Sequence, residues 1–345
     1  MNAVSTIHAR PQPLAHDRLA RPLRDLRLSV IEACNFRCPY CMPADRIPDD
    51  HGLDAASRLD FGQIETLVRA FARLGMHKLR LTGGEPLLRK GLPDLVARLA
   101  RVEGIDDIAL TTNGALLARQ AHALREAGLH RLTVSLDALD PASFRRLSGG
   151  RGQVGDVLAG LQAAAVSGFA PIKLNCVVQR GVNEDQVLPL VGFARGKGHI
   201  VRFIEYMDVG TCNGWDRGRV VPSAELRDRI AARWPLHALD PNYRGEVASR
   251  YAFDDGHGEV GFVSSISEPF CGDCHRARVS ADGCLYTCLF AAEGHDLRTV
   301  LAQGEDALAD HVAGLWSERG DRYSELRSAS SQPSGRHVEM YLVGG

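Results

Sequence analysis

Three cysteines stand within eight residues, in Cys34-Asn-Phe-Arg-Cys38-Pro-Tyr-Cys41. Only nine cysteines occur in 345 residues, so this grouping is rare by chance and reads as a ligand set. The missing fourth ligand decides what the three thiolates hold. A structural zinc is closed by four ligands, whereas three soft thiolates suit a 4Fe-4S cluster whose fourth iron stays open. No other Cys or His stands close by, the next being His51. A zinc completed by a distant ligand, or plain reactive thiols, are the other readings.

A second group comes late in the chain, with Cys271-Gly-Asp-Cys274 followed by Cys284 and Cys288. Taken alone it is a four-cysteine zinc pattern. However, Ala281-Asp282-Gly283 reads as the turn of a hairpin whose strands are Arg276–Ser280 and Cys284–Phe290. Cys284 and Cys288 would then lie about 13 Å apart on one strand, at roughly 3.3 Å per residue. One small centre cannot reach both. Cys288 falls opposite Arg276 or Ala277, beside the Cys-Gly-Asp-Cys turn, and Cys284 falls at the far tip. The expected trio is Cys271, Cys274 and Cys288, again with one position open; a closed zinc using Cys284 or His275 is the alternative. The same strand puts Arg276 and Arg278 on one face, where guanidinium forks suit phosphate or carboxylate.

The elements must bring these groups together. From Arg24 onward short apolar strands alternate with amphipathic helices, the pattern of βα units and a parallel sheet. Six strands are expected, over Leu26–Ile31, Lys78–Thr82, Ile108–Thr111, Leu132–Leu136, Ile172–Val178 and Ile200–Tyr206. Asp60 caps one helix with Gln63 three residues on, and Gly75 ends it; other helices are expected over Ala115–Ala127 and Asp185–Arg195. Thr82-Gly-Gly-Glu-Pro86, Thr111-Thr-Asn-Gly114, Ser135-Leu-Asp137 and Glu205-Tyr-Met-Asp208 each end a strand, on the functional rim of a βα barrel, as does the first cysteine loop. Lys173 and Asn175 share a face of the fifth strand, inward if Leu174 and Cys176 point out. After Asp208 come a helix near Ser223–Arg233 and strands over Val247–Phe253 and Glu259–Ser265. The expected fold is α/β: a partial (βα)6 TIM-type barrel with a smaller β-rich C-terminal region carrying a second metal cluster. Its divisions are a disordered tail over 1–23, the barrel over 24–210 and the C-terminal region over 211–345.

Composition excludes several classes. A chain that is 45% hydrophobic and 24% charged is globular. Its net charge of −1 offers no footprint for nucleic acid or anionic lipid. No apolar run approaches the roughly 18 to 20 residues of a membrane span, and no apolar segment with a cleavage site opens the chain, so a cytoplasmic location is expected. Clustered cysteines in odd number fit metal ligation better than a disulfide framework. The Arg- and Pro-bearing first twenty residues read as a tail, with a transit peptide as the alternative.

The first loop resembles the cluster loop of radical S-adenosylmethionine (SAM) enzymes, which bind SAM through its amino and carboxylate groups and cleave it to methionine and a 5′-deoxyadenosyl radical. The resemblance implies Tyr40 beside the adenine, and Gly84, Ser135 and Met207 lining SAM. Glu85 would accept from the ammonium, or would cap a helix beginning at Pro86. Both cysteine trios, the six βα units and the Val343-Gly344-Gly345 end are together similar to one branch, the GTP 3′,8-cyclases that begin molybdenum cofactor synthesis. That resemblance covers residues 24–345, and Cys-x-x-Cys-x-Arg-x-Arg with thirteen residues between the second cysteine and the last is its most specific mark.

It implies two 4Fe-4S clusters, with SAM at the first and GTP at the second. The radical takes hydrogen from the ribose 3′ carbon, which then attacks carbon 8, giving (8S)-3′,8-cyclo-7,8-dihydroguanosine 5′-triphosphate. By the same match Arg27, Arg80, Thr111, Lys173, Arg276, Ala277 and Arg278 go to GTP, and Arg27, Arg276, Arg278, Gly344 and Gly345 carry catalytic roles. Implied partners are a reductant such as flavodoxin, cyclic pyranopterin monophosphate synthase as product acceptor, and a second copy in a homodimer. The extra Cys284, the first twenty residues and the glycine-rich Ser148–Gly155 depart from the pattern. The alternatives are a radical SAM enzyme acting on a peptide and a non-enzymatic iron-sulfur or zinc module. The paired arginines and glycine end speak against the first, and the barrel rim against the second.

Overall fold

Leucine alternates with a basic residue in both β1 (Asp25–Ser29) and β2 (Lys78–Thr82) of the computed structural model, which describes residues 15–49, 52, 54–327 and 337–344. Leu26, Leu28, Leu79 and Leu81 sit in the hydrophobic core. Arg27 and Arg80 point the other way, by the two-residue period of a strand. β3 (Asp107–Thr112), β4 (Arg131–Ser135), β5 (Lys173–Val178) and β6 (Ile200–Glu205) continue the sheet in parallel. Helices cover its outer face. The one over Phe61–Arg73 has a complete capping box between Asp60 and Gln63, and buries Ile64, Leu67, Val68 and Phe71. Each such burial contributes roughly 1.5 to 3 kcal/mol. The helix expected over Ala115–Ala127 is split into a 3-10 turn, Leu117–Arg119, and a helix, Ala121–Glu126.

The C-terminal region adds β7 (Leu236–Leu239), β8 (Ser249–Phe253), β9 (Glu259–Val263), β10 (Arg276–Val279), β11 (Cys284–Tyr286) and β12 (His295–Asp296). These strands join the barrel sheet at both edges, in the order β12-β11-β10-β1-β2-β3-β4-β5-β6-β9-β8-β7. β10 runs parallel to β1, and β9 parallel to β6. The six-stranded sheet has two edges of unpaired backbone groups, and this region satisfies both. β9 and β10 do not pair with each other, so the ring stays open. The hairpin strand expected to reach Phe290 stops at Tyr286, where Thr287 Oγ1 donates to Asp321 Oδ2 at 2.7 Å.

Residues 15–23, expected within a disordered tail, are packed; the rest of that tail, 1–14, lies outside the described residues. Leu23 is fully buried, Ala15 N donates to Leu74 O, and Trp316 Nε1 donates to Arg21 O at 3.1 Å. Such partners, one of them 295 residues away, order this stretch, and local sequence does not display them. Among the described residues no helix is long and apolar enough to cross a membrane.

Candidate active site

The first trio lies in the loop after β1. Its conformation is set by the chain itself: Phe36 N donates to Cys34 Sγ at 3.4 Å, and Arg37 Nη1 donates to the carbonyls of Cys34 and Phe36 at 2.8 and 2.9 Å. The glycine-rich stretch after Leu147 is part of this support. Arg37 N donates to Ser148 O, and a Cβ on Gly149 (φ +70°) would stand 2.0 Å from Arg37 O, so only glycine fits. Asn113, from the Thr-Thr-Asn-Gly end of β3, donates to Asn35 Oδ1 at 2.8 Å.

One cavity of about 500 Å³ is lined by Cys34, Cys38 and Cys41 and also by Cys271, Cys274 and Cys288. Cys284 is not among the lining residues; it sits on β11 opposite Asp296. Tyr40, Gly84, Ser135 and Met207 line the same cavity, as do Arg27, Arg80, Thr111, Lys173, Arg276 and Arg278. Ala277 differs, because strand alternation turns its side chain into the hydrophobic core. Gly344 touches Thr82, a lining residue; Gly345 lies outside the described residues.

Strand register explains how the cations meet. Arg278, Arg27 and Arg80 are direct neighbours across β10, β1 and β2. Arg80 Nη1 donates to Thr111 Oγ1 at 3.2 Å and Thr133 Oγ1 at 3.1 Å, and Arg202 Nη2 to Thr133 Oγ1 at 3.3 Å. Lys78, Arg131 and Arg202, not singled out from sequence, raise the lining cations to eight against the carboxylates of Asp25, Asp137 and Glu246. Alternation did carry a signal for Arg202, which shares a face of β6 with Ile200 and Ile204. Arg276 Nη1, Arg278 Nε, Arg202 Nε and Asn175 Oδ1 are buried without a hydrogen-bond partner. Buried cations in this state call for an anion. Burial, with Arg278 and Arg276 next to it, holds Arg27 well below the usual guanidinium range, and burial with Arg276 lowers Arg278 to about 10.

Buried hydrogen bonds fix Glu85 and Tyr40. Glu85 is fully buried, and its carboxylate accepts from Leu87 N at 3.0 Å, Thr112 Oγ1 at 2.6 Å and Asn113 N at 2.7 Å. It is the cap of the turn Pro86–Leu88, the second of its two expected roles, and it is not among the residues lining the cavity. Tyr40 is pinned by its hydroxyl, which donates to Asp137 Oδ2 at 2.6 Å. Asp137 in turn accepts from Val177 N at 2.8 Å, and burial pushes its carboxyl up to about 6. Glu205 and Asp208 are likewise structural: Glu205 accepts from the backbone of Ser223, Ile266 and Ser267, and Asp208 from Tyr323 and Arg327.

The two trios differ electrostatically. Burial raises all three thiols of the first, Cys34 to about 11. In the second, burial raises Cys288 to about 11, whereas at Cys274 the guanidiniums of Arg276 and Arg319 overcome burial and bring the thiol down to about 6. Both donor sets are soft thiolates in threes, with the chemistry that iron-sulfur clusters require.

The chain matches the family described as Radical SAM superfamily over residues 28–194 and that described as Molybdenum Cofactor Synthesis C over 199–325. It is 70% identical over 329 residues to the GTP 3′,8-cyclase of Xanthomonas campestris pv. campestris, covering 95% of this chain and 97% of that one. The chain belongs to the GTP 3′,8-cyclase family. Membership extends to distant bacteria: the family member of Acidothermus cellulolyticus is 50% identical over 361 residues, covering 97% of this chain and 99% of its own, and that of Staphylococcus haemolyticus 41% over 335, covering 95% and 98%. The fold is shared with Streptococcus suis SuiB bound to S-adenosylmethionine, at a TM-score of 0.57 and 12% identity over 83% of this chain and 64% of SuiB. As GTP 3′,8-cyclase family members do, this chain uses SAM and iron-sulfur clusters, and its fold is a radical SAM α/β barrel with a molybdenum cofactor synthesis C-terminal region.

Proposed function

We propose that this chain converts GTP to (8S)-3′,8-cyclo-7,8-dihydroguanosine 5′-triphosphate, the first step of molybdenum cofactor synthesis. The observation that carries the reading is one cavity lined by Cys34, Cys38 and Cys41, by Cys271, Cys274 and Cys288, and by eight cations. The first trio would hold a 4Fe-4S cluster that, with SAM, supplies the hydrogen-abstracting radical; the second would hold a cluster facing the guanine. Arg276 and Arg278 bring unpaired donors to the substrate beside the second trio. Arg27, Arg80, Thr111 and Lys173 line the path onward, where about four negative charges of a triphosphate need fixed cations to offset their desolvation. Tyr40, held by Asp137, would flank the adenine of SAM beside Gly84, Ser135 and Met207. The same reading carries a cytoplasmic enzyme, a reductant such as flavodoxin, cyclic pyranopterin monophosphate synthase as acceptor of the product, and a homodimer. The test is anaerobic reconstitution followed by assay with SAM, reductant and GTP. Cyclised nucleotide is expected, and its absence from protein carrying both clusters would refute the reading.

A further inference from the structure

We propose that Arg319, held in place by Asp17, is the positioning residue of the second cysteine trio and tunes the potential of the cluster held there through its bond to Cys274. The proposal rests on the reading that this trio carries a 4Fe-4S cluster. Arg319 follows the helix Glu305–Ser317 and its side chain is 1% exposed. Every arm of its guanidinium is used. Nε donates to Thr287 O at 3.0 Å, beside Cys288; Nη1 donates to Cys274 O and to Asp17 Oδ2, both at 2.8 Å; Nη2 donates to Cys274 Sγ at 3.2 Å. Its Cζ lies 4.5 Å from the centroid of the Trp316 ring.

The third cysteine is reached by the neighbouring arginine. Arg21 binds Asp17 through Nε at 2.6 Å and donates from Nη1 to Cys271 O at 2.7 Å. Asp17, its side chain fully buried, therefore pairs with two guanidiniums and leaves one net positive charge, while between them the arginines hold the carbonyls of Cys271, Cys274 and Thr287, the last preceding Cys288. A buried carboxylate between two buried cations is costly to assemble unless the geometry it fixes is used. Here it fixes a donor and a positive charge on a ligand sulfur. Reduction adds negative charge to a cluster, and hydrogen bonds to its sulfurs stabilise the reduced form, so this contact raises the potential.

The experiment reconstitutes the full chain beside Arg319→Met, Arg319→Lys and Asp17→Asn, counts iron, and follows both clusters by electron paramagnetic resonance during a redox titration. The signal missing from a Cys288→Ser protein identifies the second cluster. In Arg319→Met that cluster is expected to shift to more negative potential while the first stays put, with a smaller shift of the same sign in Arg319→Lys; Asp17→Asn removes a negative charge beside Arg319 and is expected to shift it to more positive potential instead. Loss of iron from the second site alone in Arg319→Met would also support the positioning role, and Arg319→Lys then supplies the shift. About four irons in the unsubstituted chain, rather than about eight, would overturn the two-cluster reading and the proposal with it. With eight irons present, an unmoved second potential, or an equal shift of both clusters, overturns the proposal alone.

Discussion

Gly344 stands so close to Thr82 that a Cβ on the glycine would lie 2.0 Å from the threonine Cγ2. The chain reaches this point through the short helix Met340–Val343, whose Val343 is fully buried, and Gly344 takes φ +69° to follow it. The chain end is thereby tied to the rim after β2. In Gly344→Ala the left-handed conformation alone costs roughly 1 to 2 kcal/mol, and the methyl has no space. The expected outcome is a drop of about tenfold or more in cyclised product, with iron content and SAM binding retained. Deleting Gly344 and Gly345 should abolish product with the same two properties intact. Undiminished product would show a passive tail, and lost iron would assign the tail to folding.

Cysteine replacements separate the two candidates in the second group. Cys288 lines the cavity and Cys284 does not. Cys288→Ser is expected to lower iron from about eight to about four per chain, and Cys284→Ser to leave it unchanged. Iron and sulfide analysis after reconstitution checks both; the opposite ranking contradicts the three-cysteine arrangement.

Arg276 and Arg278 are buried beside the second trio, each with a nitrogen lacking a partner. A charge-assisted contact contributes on the order of 1.5 to 3 kcal/mol. Arg276→Ala and Arg278→Ala should each weaken GTP binding tenfold or more while SAM affinity holds, measured by equilibrium binding of each ligand. Unchanged GTP binding and turnover in either would remove that arginine from the substrate site.

Lys173 links substrate binding to pH. Burial, followed by the charges of Arg202, Arg131 and Arg80, pushes its ammonium down to about 8. A bound triphosphate favours the protonated form, so the complex keeps this proton to higher pH than the free protein does. GTP affinity is therefore full below about pH 8 and falls above it, by up to about tenfold per unit. Binding measured from pH 7 to 9.5 should show this limb, and Lys173→Arg should lose its onset near 8. The free protein should gain stability from pH about 8 to 10.5, because there the unfolded chain holds the proton that the folded one has released.

Much of this site is written in local spacing. The cysteine intervals and the two-residue period of β1, β2, β5 and β10 specify which side chains share a face, and register then aligns Arg278, Arg27 and Arg80. What local spacing does not display is dependence on distant partners. Asp17 and Arg21 stand in a stretch without pattern, yet Arg319, 302 residues from Asp17, orders them. Ser148–Gly155 looked like a departure because the need for glycine comes from Arg37, across space. Glu85 presents the opposite difficulty: its type suits a ligand and the following Pro86 suits a cap, and the donors converging on it favour the cap.

In the proposed reaction a radical made at the first trio acts on GTP held at the second. The measurement that meets it most directly uses GTP carrying deuterium on the ribose 3′ carbon, with SAM, reductant and the reconstituted protein. One deuterium is expected in the 5′-deoxyadenosine, with a cyclised nucleotide that has lost it. Unlabelled 5′-deoxyadenosine formed equally with and without GTP, and no cyclised nucleotide, would contradict the proposed reaction.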